Sequence, residues 1–188
     1  MKSKIIGYHY TNSKAYRSMQ KQGVEGYITF GFDNFSGLIP RKRFIKLGEA
    51  NGLPDESHNG VIEGLLEPEP KSWLENKKFP HLWRYLMHDI CRNEKIILLH
   101  FELNPNDQAY VVERAHIERR LYHKNPSREL INTSFKKYWE SRISVFEYKN
   151  NYCLPQLAIW SGIEFERLEI EWEKSSDEVW KRVLDKNW

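Results

Sequence analysis

The sequence predicts an α+β fold in one domain over residues 1–188, and three observations point to it. A short apolar strand opens the chain, amphipathic helical patterns recur through it, and the last third is rich in strands separated by turns. The 188 residues are 40% hydrophobic and 29% charged, as in a globular protein. This length favours a single domain with a core of its own.

The first part of the chain is predicted to form a strand, a helix and a second strand. Residues 4–10 are mostly apolar and lead into the capping side chains of Asn12 and Ser13, so a helix is expected over 13–22. Gly23 suits the residue after the helix, where a left-handed backbone is common. A short apolar segment at 27–30 predicts the second strand.

Residues 31–72 are predicted to be irregular. Glycine and proline occur throughout this stretch, and that density argues against long regular elements. Long connections inside a compact domain are usually functional. The stretch carries two basic residues, Arg41 and Arg43, which are interpreted either as solvated cations on a loop or as a clamp for phosphate groups.

The second half is predicted to alternate helices and strands. The apolar strand 95–103 and a returning strand at 109–112 flank a turn, which predicts a β-hairpin. In the segment 163–172, alternate apolar residues are expected to face the core, Ile170 among them. The other predicted helices are 80–92, 114–122, 127–140 and 176–185, and the other predicted strands are 143–148 and 154–160.

Composition and motifs narrow the classes of function. A net charge of +3 permits an anionic partner but does not require one. The two cysteines and seven histidines show no metal-ligand spacing, and the signatures of P-loop, Rossmann and serine hydrolase sites are missing. The sequence has neither a signal-peptide core nor a long apolar span, so a cytoplasmic protein, or one delivered without a cleaved signal peptide, is expected, with no membrane partner.

The end of the first strand is the leading candidate for a site. His9 lies between Tyr8 and Tyr10 and is followed by Thr11. A lone histidine beside a strand is more often structural than ligand-binding, and tyrosines in strands usually pack in the core. These residues therefore need a second segment of the chain to support a functional interpretation.

Two segments of the chain supply that support, because both resemble parts of one protein superfamily and follow each other in the same order. The opening Tyr8-His9-Tyr10-Thr11 resembles the start of the ADP-ribosyltransferase superfamily in its histidine-first branch, which includes diphtheria-toxin-like enzymes, DarT toxins and RNA 2′-phosphotransferases. Residues 154–163 resemble the strand that carries the catalytic glutamate in DarT-like enzymes. The resemblance implies an ADP-ribosyltransferase-like split β-sheet core with helices and a long irregular loop region. It also implies NAD as substrate and no metal.

The resemblance assigns roles to residues on both segments. It implies that His9 binds the ribose of NAD, with Tyr10 and Thr11 beside it, and that an aromatic side chain stacks on the nicotinamide ring. Tyr27 or Tyr16 would supply that ring. Arg41 or Arg43 would contact the phosphates.

The resemblance also calls for a carboxylate next to the ribose, and this chain has Gln156 at that position. Glutamine can still hydrogen-bond a hydroxyl, but it cannot offset a developing positive charge. Three explanations stay open: another acid such as Glu147, a weak or non-catalytic relative, or an inactivating Glu→Gln substitution. The catalytic candidates are therefore Gln156, Arg43 and Glu147.

The leading hypothesis is an NAD-dependent ADP-ribosyltransferase, a glycosyltransferase that modifies a protein or nucleic acid as a bacterial toxin, effector or phage-defence factor. Its implied partners are the macromolecular acceptor and an antitoxin or immunity protein. The alternatives are an enzyme of the RNA 2′-phosphotransferase kind and a non-catalytic binding module. In the latter, Trp73, Trp83 and Trp160 would be core or partner-facing aromatics.

Overall fold

The structure is a computed structural model, and it describes residues 4–22, 41–54, 62–80, 82–84, 87, 95–121, 126–160 and 162–185. These residues form helices and antiparallel sheets, so the α+β class is confirmed. The backbone divides into two compact units. Unit 1 comprises residues 1–28, 64–104 and 163–188, and unit 2 comprises residues 29–63 and 105–162. The assignment of residues 1–188 to one domain stays a prediction.

Unit 1 contains a three-stranded antiparallel sheet. Its order is β1 (Ile5–Asn12), β3 (Ile96–Leu103) and β7 (Glu169–Lys174). The central strand is β3, whose first four residues are at most 2% exposed, because its apolar side chains are covered on both faces. His9 lies opposite Leu99 in the register of β1 and β3.

Two helices of unit 1 begin at side chains that cap them. In α1 (Ser13–Gln22), the Ala15 backbone N–H donates to Asn12 Oδ1 over 2.9 Å, which confirms the predicted start. The terminal helix (Ser176–Asp185, called α6 below) follows Ser175, whose N–H and hydroxyl both bond the Glu178 carboxylate. Unit 1 also contains the short helix α3 (Lys71–Leu74).

Unit 2 contains a four-stranded sheet. Its order is β2 (Ile62–Gly64), β6 (Pro155–Ile159), β4 (Ala109–Glu113) and β5 (Ile143–Ser144). Every residue of β6 is buried, as expected for a strand with a neighbour on each side. The strand predicted at 143–148 is shorter than expected, because residues 145–147 form a turn.

Three helices accompany this sheet: α2 (Arg41–Ala50), α4 (Ala115–Leu121) and α5 (Arg128–Glu140). The predicted helices at 114–122 and 127–140 are confirmed as α4 and α5. Their apolar faces meet in one core cluster, which consists of Leu53, Val112, Ile117, Phe135, Tyr138, Trp139, Ala158 and Trp160.

The helix α2 corrects the prediction that residues 31–72 are irregular. Ile45 and Leu47 pack against the core cluster of unit 2, so tertiary burial stabilises a helix that the local sequence disfavours. Gly48 is not a helix breaker here. A Cβ atom at that position would lie 2.7 Å from Cη2 of Trp160, so glycine allows the Trp160 ring to approach the helix.

Two further predictions about the strands are wrong. The strands β3 and β4 do not form a hairpin, since β3 pairs with β1 and β7 whereas β4 pairs with β5 and β6. Residues 163–172 are not one strand, because Phe165–Arg167 forms a turn of 3₁₀ helix before β7. The register of β7 also shifts opposite Leu98 and Leu99, and Ile170 is 45% exposed instead of buried.

Several predictions fall partly or wholly outside the described residues. Gly23, Tyr27 and the strand at 27–30 lie there, as do most residues of the helix predicted at 80–92. Residues 82–84 and 87 are described and helical. Across the described part of the chain, no helix combines the length and apolarity that crossing a membrane requires.

Candidate functional site

Five side chains of unit 2 form a buried polar cluster. They come from different elements: Glu63 from β2, Arg114 from the end of β4, Glu118 from α4, Tyr138 from α5 and Gln156 from β6. Buried polar groups are costly unless they are paired, so such a cluster needs a structural or functional reason.

Both polar atoms of the Gln156 side-chain amide form hydrogen bonds. It is 3% exposed, and its Oε1 accepts a hydrogen bond of 3.2 Å from the Tyr138 hydroxyl. Gln156 also hydrogen-bonds the carboxylate of Glu63. Because Oε1 already accepts from Tyr138, the amide nitrogen is left to donate to Glu63. Glutamine therefore fits this position through both of its polar atoms.

The guanidinium of Arg114 is shared by two carboxylates. Its Nε lies 2.5 Å from Glu118 Oε1, and its Nη1 lies 4.0 Å from Glu63 Oε1. Arg114 and Glu118 are 7% and 3% exposed. With both acids ionised the cluster carries one net negative charge, in surroundings where a charge is poorly solvated.

The Glu63 carboxyl has an altered acidity. Burial raises its pKa from 4.5 to about 6, although Arg114 and the Gln156 hydrogen bond act in the opposite direction. A carboxyl with a higher pKa in the folded chain destabilises the fold as pH rises from below 4.5 to above 6. That shift corresponds to about 2 kcal/mol. Carboxyl groups whose burial destabilises the fold and raises their pKa towards neutral pH are common at functional sites.

The position of Tyr138 fits a donor role in this cluster. Burial first, and then the charge of Glu63, raise the pKa of the Tyr138 hydroxyl well above its usual range. It therefore remains protonated and donates to Gln156 under ordinary conditions.

In unit 1, His9 and Thr11 share one face of β1, because alternate residues of a strand point the same way. They are 9% and 4% exposed. The Thr11 hydroxyl finds no hydrogen-bond partner within the described ranges. This buried hydroxyl lies two residues from His9.

Tyr10 lies on the opposite face of β1. Its hydroxyl donates to the Pro68 carbonyl over 2.7 Å, and its ring packs edge-on against Trp83 and Trp172 at centroid distances of 5.5 and 5.7 Å. The structure therefore separates Tyr10 from the face that carries His9 and Thr11.

The remaining sequence-predicted residues have different surroundings. Arg43 is half-buried in α2, not on a loop, and Arg41 begins the same helix. Glu147 does not end a strand, as expected from the sequence, but is exposed in the turn after β5. The acid next to Gln156 is Glu63. The side chain of Arg41 and the whole of Tyr27 lie outside the description.

Four residues of the buried polar cluster were not singled out in the sequence. Glu63 is one acid in a Gly-rich stretch, and Arg114 and Glu118 look like an ordinary pair four residues apart on a helix.

Within the described residues, no group of His, Cys, Asp and Glu side chains is arranged to hold a metal ion. Comparison of the chain with protein-family models, curated proteins and solved structures finds no match.

Proposed function

We propose that the chain is an NAD-dependent ADP-ribosyltransferase that modifies a macromolecular acceptor, protein or nucleic acid, in the manner of a toxin or defence factor. One observation carries the proposal. The carboxylate of Glu63 is hydrogen-bonded to Gln156, the residue at which the resemblance expects a catalytic glutamate. The two antiparallel sheets are in keeping with a split β-sheet core.

The chemistry needs a negative charge near the sugar. As the bond between ribose and nicotinamide breaks, the nicotinamide leaves with the bonding electrons and the ribose gains oxocarbenium character. A fixed carboxylate stabilises that charge without reorganising. Glu63 is ionised above its pKa of about 6. Its side chain remains 15% exposed, so part of it is accessible to a ligand.

The other members of the cluster support Glu63. Gln156 donates to the carboxylate, and Tyr138 fixes the orientation of that amide. Arg114 keeps the carboxylate ionised near neutral pH. In this assignment Glu63 is the catalytic carboxylate and Gln156 is a positioning residue. Glu63 on β2 therefore supplies the negative charge that Gln156 lacks.

Glu63→Gln is expected to lower the transfer of label from NAD to macromolecules about a hundredfold, as for loss of one electrostatic contact in a transition state. The assay is incubation of labelled NAD with a cell lysate, followed by separation of protein from nucleic acid. The variant should stay folded, because a neutral amide removes the cost of the buried charge.

The matched control for this variant is Glu129→Gln, which removes an exposed carboxylate of the same unit. It should transfer label at the native rate, and native activity should fall as pH drops below about 6. Equal rates for Glu63→Gln and the native chain would remove Glu63 from the mechanism. A native chain that labels no acceptor would refute the transferase assignment.

NAD is expected to raise the melting temperature of the native chain, because a ligand that binds only the folded state stabilises it. His9→Ala should abolish this rise if His9 contributes to NAD binding, as the resemblance implies. Tyr10→Phe is the control, since Tyr10 lies on the other face of β1 and its hydroxyl is bonded to Pro68. A rise that persists in His9→Ala but disappears in Tyr10→Phe would reverse the assignment of the two residues.

A further inference from the structure

Unit 1 contains a cavity of about 130 Å³ on the Tyr10 face of its sheet. Tyr10, Trp83 and Trp172 form its aromatic walls, and Val179 and Val183 of α6 close its apolar side. Because His9 and Thr11 point to the opposite face of β1, this cavity is distinct from the NAD contacts proposed for them. None of its described lining residues belongs to the buried polar cluster.

The aromatic walls are fixed by the register of the sheet. Tyr10 pairs with Leu98, and Leu98 pairs with Trp172, so the two rings stand on one face across the central strand. Their centroids are 5.7 Å apart, and the Trp83 ring meets Tyr10 edge-on at an interplanar angle of 83°. Rings locked in this way present a rigid surface that suits another planar group.

Most charged groups around the cavity are already engaged. Glu69 accepts from Arg182 through both carboxylate oxygens at 2.8 Å. Glu178 is used at the start of α6, where it accepts from the N–H and the hydroxyl of Ser175 at 2.9 and 2.8 Å. Neither carboxylate is therefore well placed to pair with a cationic ligand.

Lys174 differs from these residues. Its ammonium lies 4.6 Å from the centroid of the Trp172 ring and forms no ion pair with any side chain in the described ranges. The ammonium therefore lies over the face of that ring, and its charge helps to lower the pKa of Glu178, although no carboxylate of the described residues lies within ion-pair distance of it. An ammonium beside a flat apolar surface is a recognition site for a carboxylate attached to a ring.

We propose that this cavity binds a small planar carboxylate, with the ring against Trp83 and Trp172 and the carboxylate on the Lys174 ammonium. The size is suitable, since an apolar cavity of about 150 Å³ in another protein holds a benzene molecule. The proposal concerns unit 1 alone and does not depend on the transferase assignment. Benzoate is the simplest probe of this class.

The first test is a titration of the full chain with benzoate, followed by the indole N–H resonances in ¹H–¹⁵N NMR spectra. The signals of Trp83 and Trp172, assigned by single Trp→Phe variants, should shift and saturate. Those of Trp139 and Trp160, which belong to the core of unit 2, should not. A ligand of this size is expected to have a dissociation constant of about 1 mM.

The second test separates charge from shape. Benzyl alcohol and benzylamine resemble benzoate but are neutral and cationic, and both should bind at least about tenfold more weakly. Lys174→Met should weaken benzoate binding about tenfold and leave benzyl alcohol unchanged, whereas Lys174→Arg should retain benzoate. Lys136→Met is the control, because Lys136 is an exposed lysine of unit 2.

Three results would overturn the proposal. Absence of saturable shifts at Trp83 and Trp172 would show that the cavity does not admit the ring. Tighter binding of benzylamine than of benzoate would make the site a cation-binding aromatic cage. Unchanged benzoate affinity in Lys174→Met would remove the lysine from recognition. NAD transfer by the native chain should be unaffected in all three cases, which keeps this outcome separate from that of the proposed function.

Discussion

Arg114→Met is expected to lower the free energy of unfolding by about 3 to 5 kcal/mol, the usual cost of removing one partner from a buried ion pair. Methionine replaces the apolar stem of the arginine side chain and removes the guanidinium with its charge. Glu118 and Glu63 are then left buried without the guanidinium that they share. Urea unfolding followed by tryptophan fluorescence measures the loss.

The pH dependence of this loss distinguishes charge from packing. In the variant, the pKa of the Glu63 carboxyl should rise further in the folded chain, because Arg114 no longer lowers it, so the loss should shrink as pH falls and this acid becomes protonated. Lys136→Met is the control, because it breaks an exposed pair with Glu140 and should change stability by less than about 0.5 kcal/mol. A loss for Arg114→Met that is the same at every pH would point to packing alone.

Gln156→Glu is expected to lower the free energy of unfolding by about 3 to 4 kcal/mol near pH 8, since it places a second carboxylate against Glu63 in a buried site. The folded variant keeps one proton on the pair, whereas the unfolded chain releases it. Stability is therefore lost progressively as pH rises, and most of the loss should disappear near pH 5. Denaturant titrations at several pH values measure this dependence.

The control for this change is Gln20→Glu, the same substitution on the exposed surface of α1. It should alter stability by no more than about 0.5 kcal/mol at any of these pH values. The comparison also decides among the three explanations for Gln156. A Gln156→Glu variant as stable as the native chain near pH 8, with a higher rate of NAD transfer, would show that the position requires a glutamate and that Glu63 is not the catalytic acid.

The elements that the sequence predicts well are those with strong local signals. The helices at 13–22, 127–140 and 176–185 have capping residues and an apolar face, and the structure places them at Ser13–Gln22, Arg128–Glu140 and Ser176–Asp185. The errors concern contacts between distant segments. The density of glycine and proline over residues 31–72 argued against a helix there, but Gly48 lies in α2 and admits the ring of Trp160. The partners of β3 lie far from it in sequence, so its proximity to β4 misled the prediction of a hairpin.

The candidate site likewise contains residues that local sequence patterns indicate and residues that only contacts between distant segments reveal. Gln156 was found because its strand has a recognisable local pattern, and His9 because it lies between two tyrosines after an apolar run, although β1 continues beyond it to Asn12. Glu63 could not be found, since its importance comes from the adjacency of β2 and β6 in the sheet. Nothing in the stretch around Glu63 distinguishes it from the exposed acids nearby. The register also separates Tyr10 from His9, which adjacent positions in a sequence do not reveal.

The alternation of the chain between units 1 and 2 has a consequence for biosynthesis. The buried strand β6 ends at Ile159 and the edge strand β7 ends at Lys174, so the two sheets have all their strands only after these residues have been made. Pairings such as β1 with β3 also close long loops, which slows folding. A ribosome-bound chain that ends before β6 therefore lacks Gln156 and cannot form the pair with Glu63. Any activity that depends on this pair would thus appear only after β6 has been made.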